Sequence, residues 1–268
     1  MRKGWTFVVL AACAAGIVLT RPAIAQEPGA PVPTSSADPL ADAIAAITGE
    51  YASAEQAFYA KIKGLEDEAA VGRMYDESYP KVAAYVSRVQ SALAGHESEP
   101  AAAAGFAWIA QNADDDAARQ SAREALLAHH LASPEMAEVI RSLAWGWAPG
   151  DEAFLERVSR EGPHEIQGQA LFSLAQRKTR ESMADPPEQS ERATQAEQLL
   201  GRVRDEYGDV KSGKSTLAPR VEPYLYELQH LRIGMTAPEI EGTGVDGATF
   251  KLSDYRGKVV ILDFWGFW

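Results

Sequence analysis

Between positions 40 and 231, apolar residues recur every three or four positions, which is the spacing of one face of an α-helix. The pattern is clearest in four runs: Phe58, Ile62, Leu65 and Ala69; Tyr79, Val82, Val86, Val89 and Leu93; Met136, Val139, Ile140, Leu143 and Trp147; and Ala196, Leu199, Leu200, Val203 and Tyr207. Pro80 is expected in the first turn of its helix, where proline is tolerated. Loop residues separate the runs, at Gly95, Ser133-Pro134, Gly162-Pro163 and Pro186-Pro187.

This spacing predicts roughly eight or nine helices of about 10–20 residues, arranged as antiparallel helix pairs over residues 40–231. One pair, at 165–180 and 189–207, weakly resembles a tetratricopeptide-type unit. Small and apolar residues on its first helix carry the resemblance: Gly168, Ala170, Leu171, Leu174 and Ala175. Since no repeat of about 34 residues recurs elsewhere, the prediction is a mainly α, helical-pair domain.

The first 25 residues are predicted to be a signal peptide. A positive start is followed by an apolar run that ends at Leu19, and Ala23-Ile24-Ala25 fits the small-x-small rule for cleavage. A transmembrane anchor and lipidation at Cys13 are the alternatives, although the run is short for a span and continues past Cys13. We therefore expect an exported protein, periplasmic or otherwise extracytoplasmic, with a possible membrane tether through this segment.

Residues 26–39 contain four prolines among Gly, Ser and Thr, and predict a mobile linker. From Ile233 the pattern changes. Asp246-Gly247 predicts a two-residue hairpin turn, and the residues after it, 249–252, predict a strand. The unbroken apolar run at 259–262 is typical of a central parallel strand that is buried on both faces. The chain then ends on aromatic residues, so the sequence is expected to be incomplete at its C-terminus.

Charge and cysteine content exclude several classes of function. The 268 residues include 26 basic and 38 acidic ones, for a net charge of −12. This balance argues against nucleic acid as a partner, because nucleic-acid binding needs clustered positive charge. Cys13 is the one cysteine, which excludes a disulfide framework, an iron–sulfur cluster and a cysteine zinc site. Cleavage after Ala25 would remove it and leave 23 basic against 38 acidic residues, a charge of −15.

One motif argues for a nucleotide. Residues 208–215, GDVKSGKS, match the phosphate-binding P-loop pattern. A P-loop must follow a buried strand and open a helix, whereas residues 193–207 have helical spacing. Pro219 and Pro223 are also expected to break the following helix. No nucleotide and no other cofactor is therefore predicted.

No metal site is predicted either. His129 and His130 lack a histidine or carboxylate partner four residues on, and His96, His164 and His230 stand alone. The three aspartates at 114–116 lack the glycine and distal glutamate of a calcium loop. They are expected to precede a helix at 117–131, whose start favours negative charge.

Residues 233–268 resemble the start of a redoxin domain, of the TlpA-like branch of the thioredoxin superfamily. The motifs that carry the resemblance are Ile233-Gly234, Ala237-Pro238-Glu239, Asp246-Gly247, Phe250-Lys251-Leu252-Ser253-Asp254, Arg256-Gly257-Lys258-Val259-Val260 and Asp263-Phe264-Trp265. The resemblance implies a thioredoxin-like α/β domain, begun at residue 232 and truncated after Trp268. In the family, a Cys-x-x-Cys pair follows the position of Trp268, at the start of a helix.

The resemblance implies a thiol–disulfide oxidoreductase, or alternatively a thiol peroxidase of the related alkyl hydroperoxide reductase branch. Its partners would be protein thiols or disulfides, or a thiol reductant. Asp263 matches the buried aspartate that would exchange a proton with the resolving cysteine, and Trp268 would flank the site. The alternatives for Asp263 and Trp265 are a cap at the end of the strand and simple packing. The other class of function is a non-catalytic helical binding protein with a degenerate redoxin tail, and the 268 residues alone are expected to be inactive in thiol exchange.

Overall fold

A computed structural model of the chain describes residues 38–263, except 147, 149, 184, 186–189, 245 and 246. The signal segment and most of the linker lie outside these residues. The described residues form two compact units, 38–236 and 237–263, called here the helical unit and the C-terminal unit. The helical unit contains ten described α-helices: α1 Pro39–Ile62, α2 Glu68–Ser78, α3 Val82–Leu93, α4 Ala102–Asn112, α5 Asp116–His129, α6 Pro134–Leu143, α7 Asp151–Glu161, α8 His164–Ser182, α9 Glu191–Tyr207 and α10 Ala218–His230.

Local capping explains where several of these helices begin. The Asp38 carboxylate accepts hydrogen bonds from the amides of Leu40 and Ala41, at 2.9 and 3.2 Å. This cap satisfies two amides that have no partner inside the helix. Pro39 is therefore the first residue of α1, so the predicted linker extends one residue too far. Asp115 and Ser190 cap α5 and α9 in the same way.

The core of the helical unit consists of two apolar clusters. The larger one joins α1 with α3–α8, and the smaller one joins α8, α9 and α10. Leu200 and Val203 of α9 are fully buried in the smaller cluster, on the face that the sequence spacing predicts. Helix α8 contributes to both clusters, since Ala170 and Leu174 face one and Leu171 faces the other. It is therefore the central helix of the unit.

Two predicted apolar runs are shorter in the structure. Helix α1 ends at Ile62 and is followed by Gly64, whose φ of +84° is the left-handed conformation in which helices commonly end. Leu65 is exposed, and α2 buries none of its residues, so the run predicted to reach Ala69 is wrong beyond Ile62. Pro80 precedes α3 and does not lie in its first turn. Trp147 lies outside the described residues.

The helical pattern is also interrupted between α9 and α10, where helix was predicted throughout. Two short strands, β1 Lys211–Ser212 and β2 Ser215–Thr216, form an antiparallel hairpin. Helix α10 then contains Pro219 and Pro223, which were expected to break it. Pro219 lies in the first turn, and Pro223 removes one hydrogen bond on the exposed face, where water can satisfy the freed carbonyl. The prediction of a break is therefore wrong.

The C-terminal unit contains an antiparallel hairpin of β3 Glu241–Thr243 and β4 Thr249–Lys251, followed by a 3₁₀ helix at Leu252–Tyr255. Thr243 pairs with Thr249, whereas a two-residue turn at Asp246-Gly247 would pair Thr243 with Phe250. The loop is therefore longer than predicted, and the prediction of a two-residue turn is wrong. The amide of Gly244 donates to the carbonyl of Ala248 at 2.8 Å and closes this longer loop. Asp246 lies outside the described residues.

The apolar run at 259–262 is not a strand in the structure, against the sequence prediction. A central strand needs neighbours on both sides, and no described residue pairs with this run. Val259 is 92% exposed and Ile261 57% exposed. Four consecutive apolar side chains are therefore uncovered in this unit.

Candidate functional site

The redoxin-like residues of the C-terminal unit are held together by short-range hydrogen bonds. The Glu239 carboxylate accepts hydrogen bonds from the amides of Ser253, at 3.0 Å, and Ile240, at 3.2 Å. Hydrogen bonds from Ser253, its side chain first, lower the pKa of Glu239 below the ordinary range. The Asp254 carboxylate accepts from the amide of Lys251 at 2.9 Å. These contacts fix the 3₁₀ helix against the hairpin.

The two residues predicted to belong to the active site are not brought together by the described structure. Asp263 is exposed and follows the uncovered apolar run. Trp268 and Trp265 lie outside the described residues. The desolvation expected for Asp263 would require a cover of apolar side chains, which the described residues do not supply. Its role in proton exchange therefore stays a prediction.

Thiol chemistry needs a thiol, and the described residues contain no cysteine, since Cys13 lies outside them. The described part of the C-terminal unit therefore contains no thiol nucleophile. Among the described residues, no group of three His, Cys, Asp or Glu side chains could hold a metal ion. Of the three aspartates at 114–116, Asp115 caps α5, because its carboxylate accepts a hydrogen bond from the amide of Ala118.

Each described histidine has a local structural contact. His130 is buried, with Nε2 2.7 Å from the carbonyl oxygen of Glu97. His164 stacks on the ring of Tyr207 at a centroid distance of 4.8 Å. These contacts join segments that are distant in sequence, which gives both histidines a packing role.

The P-loop-like motif does not have the context of a phosphate-binding loop. It follows helix α9 and forms the β1–β2 hairpin, with Gly213 at the turn in a left-handed conformation, φ +65°. No buried strand precedes it among the described residues. The expectation that residues 193–207 are helical is confirmed, because α9 covers them. The hairpin itself was not predicted.

Sequence reasoning missed a buried cluster of charges in the helical unit. Asp151 is 1% exposed and its Oδ1 lies 2.5 Å from Nη2 of Arg123, which is 2% exposed. Arg177 Nη1 lies 3.7 Å from the other carboxylate oxygen. The same Arg177 atom donates to the carbonyls of Leu143, at 2.9 Å, and Gly146, at 2.6 Å. The cluster therefore fastens the connection between α6 and α7 onto α8.

A sequence signal for this cluster exists. Arg123 directly follows Ala122 and precedes the buried Leu126 by three positions, so it falls on the apolar face of its helix. Arg177 follows the buried Leu174 by three positions in the same manner. A cation on an apolar face needs a buried anion, because an unpaired buried charge is very costly.

Within the described residues, no helix combines the length and the apolar composition that crossing a membrane requires.

Comparisons with known proteins bear on the redoxin resemblance. Two curated proteins, both thiol-disulfide oxidoreductase ResA, match 45 residues of the chain: one from Geobacillus kaustophilus at 44% identity and one from Geobacillus thermodenitrificans at 40% identity. Each match covers 17% of this chain and 26% of the relative, so the chain spans about a quarter of the length of the curated relatives it matches. The resemblance to a thiol–disulfide oxidoreductase is thereby confirmed over a short stretch. No protein-family model and no solved structure matches the chain.

Proposed function

We propose that the chain is part of an exported thiol–disulfide oxidoreductase of the TlpA-like branch, in which a helical domain precedes a redoxin domain. The observation that carries the proposal is the 45-residue similarity to two thiol-disulfide oxidoreductases. In this proposal, the similar stretch includes the redoxin motifs between Ile233 and Trp265, which occur in the family's order. The fold proposed for this unit when complete is thioredoxin-like.

In this proposal, a Cys-x-x-Cys pair follows Trp268. The thiolate of the first cysteine attacks one sulfur of a substrate disulfide, forms a mixed disulfide and releases the other sulfur as a thiolate. The second cysteine, as its thiolate, then attacks the mixed disulfide and releases the reduced substrate, so the pair ends as an oxidised disulfide. Asp263 accepts the proton of the second cysteine before that attack. Protein disulfides or thiols are the proposed substrates, and a thiol reductant regenerates the pair.

The uncovered apolar run at 259–262 supports this assignment. Exposed contiguous apolar surface is costly in water and usually marks a surface that another element covers. In a complete redoxin domain, this run would be a central strand with neighbouring strands and helices. Covering it would also remove Asp263, which directly follows it, from contact with water.

The test begins by reading the gene beyond codon 268 and expressing the whole product. The proposal expects a Cys-x-x-Cys pair and insulin-disulfide reduction with dithiothreitol as the reductant. Replacing the first cysteine with Ser should abolish turnover, whereas Asp263→Asn should slow it roughly 100-fold, the lower end of general-base effects. Trp108→Phe, in the helical unit, is the control and should not change the rate. A product with the cysteine pair and no turnover would contradict the proposal.

Export is tested separately. The proposal expects the mature protein to begin at Gln26 and to be recovered outside the cytoplasm. Edman sequencing of the protein from a fractionated bacterial host would check this, with Ala25→Arg as the variant that blocks cleavage. A mature chain that begins at Met1 in the cytoplasmic fraction would contradict it.

The second candidate is a helical binding protein with a degenerate redoxin tail. It is favoured by the helical unit, whose helices pack into two apolar clusters. A gene that encodes no cysteine after Trp268 would select this candidate and exclude the oxidoreductase.

A further inference from the structure

A small polar cleft lies within the helical unit, between α8 and the β1–β2 hairpin. Gln169, Phe172, Ser173 and Gln176 lie on one face of α8 and form its floor. The hairpin and the start of α10 form the opposite wall. The Gln169 side-chain amide donates to the carbonyl of Lys211 at 3.3 Å, which fixes the hairpin above the helix. The cleft is therefore a built feature and not a gap between loose segments.

Arg220 of α10 is held over this floor in one orientation. Its guanidinium lies 5.2 Å from the ring centroid of Phe172, and its Nη1 donates to the hydroxyl of Ser212. No described carboxylate pairs with it. Because one hydrogen bond uses only part of the five N–H donors of a guanidinium, the rest of the fork is available to a carboxylate or phosphate oxygen.

Two further donors line the cleft. Lys211 forms no ion pair with any described residue. Ser173 is 3% exposed, and its hydroxyl makes no hydrogen bond with any described residue. Because the hydroxyl lines the cleft, it can donate a hydrogen bond to a ligand there. Arg141 also lines the cleft, but Glu138 already pairs with it, so it is not counted as a donor.

The cleft volume limits the ligand. It is about 50 Å³, which corresponds to roughly three to five water molecules on the scale of one water per 10–15 Å³. A carboxylate or a phosphate group has this size, whereas a whole nucleotide does not. In a chain with a net charge of −12, two unpaired cations and a free hydroxyl around one small cleft favour an anion.

We propose that this cleft is a binding site for a small oxyanionic group, presented as a carboxylate or a phosphate. Arg220 supplies the paired N–H donors, Lys211 supplies charge, and Ser173 donates from the floor. The GDVKSGKS motif that contains Lys211 thus contributes to an anion site through its hairpin, without acting as a P-loop. The proposal does not depend on the oxidoreductase function.

The test is a titration of the ¹⁵N-labelled protein with sodium phosphate and, separately, with sodium acetate, each against sodium chloride of equal ionic strength. Amide shifts at Ser212, Gly213 and Arg220 are expected to saturate with at least one of the two anions. The anion that binds more tightly identifies the source of the oxyanionic group. Shifts that chloride reproduces, or no saturating shift with either anion, would overturn the proposal.

Substitutions of single basic residues test whether the anion binds in this cleft. Arg220→Gln is expected to weaken binding roughly 10- to 100-fold, as the loss of charged hydrogen bonds implies, and Lys211→Gln, on an exposed residue, by about 2- to 5-fold. Arg160→Gln changes the same charge on the exposed face of α7 and should leave the affinity unchanged. Lys211→Gln also tests the proposal if Arg220→Gln fails to fold. Equal affinity in Lys211→Gln and Arg160→Gln would contradict the assignment.

Discussion

The helical unit and the C-terminal unit differ in how far along the chain their contacts reach. In the helical unit, each helix forms its own backbone hydrogen bonds, and every helix except α2 buries one face against a neighbour. A stretch of about 200 residues therefore forms two packed clusters. The C-terminal unit has one hairpin and a 3₁₀ helix, and its longest apolar run is exposed. The backbone hydrogen bonds of a helix join residues that are close in sequence, whereas those of a central strand need partner strands that are distant in sequence.

The two units also treat charge differently. Asp151 and Arg123 of the helical unit pair at 2.5 Å with about 2% exposure or less. In the C-terminal unit, Glu241 and Lys251 pair across the hairpin with more than half of each side chain exposed. Exposed pairs contribute little because water screens them, but the loss of one partner from a buried pair leaves a charge without compensation. The Asp151–Arg123 pair is therefore expected to matter for the stability of the helical unit, whereas the Glu241–Lys251 pair should contribute little to that of the C-terminal unit.

The largest effect is expected from Asp151→Ala. The substitution leaves Arg123 and Arg177 buried without their carboxylate, which should cost about 3–5 kcal/mol in the free energy of unfolding. Urea denaturation followed by circular dichroism measures it. Glu156→Ala, which removes a half-exposed carboxylate 3.9 Å from Arg160, is the control and should cost less than about 1 kcal/mol. Equal losses in the two variants would show that burial does not distinguish these pairs.

Leu200→Ala should have the next largest effect. Leu200 is fully buried in the smaller cluster, so the cavity and the lost apolar burial should cost about 2–5 kcal/mol. Leu262→Ala is the matched substitution in the C-terminal unit, where the side chain is half-exposed, and should change stability by less than about 0.5 kcal/mol. Urea denaturation compares the two. A similar loss in Leu262→Ala would mean that its apolar run is packed in solution, and the contrast between the units would disappear.

The same contrast explains what sequence reasoning could predict. The face of α9 that contains Leu200 follows directly from the spacing of apolar residues, because a helix is specified locally. The hairpin at 211–216 was not predicted, because its strands have two residues each and carry no alternating apolar pattern. The run at 259–262 was predicted as a strand from composition, but pairing needs neighbours that no local pattern specifies.

The candidate site likewise has features that local sequence specifies and features that depend on residues distant in sequence. The redoxin motifs were recognised from short local patterns, and a 45-residue similarity to thiol-disulfide oxidoreductases agrees with them. The cleft at Arg220 could not be predicted, because it requires α8, the hairpin and α10 to be placed together. The helix predicted before the P-loop pattern is confirmed, whereas the break expected at Pro219 and Pro223 is wrong.

Two glycine-to-alanine substitutions, one in α8 and one in α9, should change the free energy of unfolding by smaller amounts and in opposite directions. A Cβ added at Gly168 would lie 2.8 Å from Cβ of Tyr207, so Gly168→Ala must push the two helices apart. This should cost about 1–3 kcal/mol. Gly201→Ala, on α9 with no atom within 4 Å of the added Cβ, should instead stabilise the protein by about 0.5–1 kcal/mol, because alanine favours a helix over glycine. Thermal denaturation distinguishes them, and stabilisation by both would contradict close packing at Gly168.

The smallest effect concerns pH in the C-terminal unit. The hydrogen bonds from Ser253 lower the pKa of Glu239, so the folded hairpin binds that proton less tightly than the unfolded chain does. Their contribution is therefore fully present above the ordinary glutamate pKa of about 4.3 and is lost as pH falls through the lower folded value. The Ser253 amide, 3.0 Å from Glu239 Oε1, should shift in an NMR pH titration with a midpoint below that ordinary value. Glu239→Gln should abolish the transition and Glu241→Gln should preserve it. A midpoint at or above the ordinary value would show that the Glu239–Ser253 contact does not form in solution.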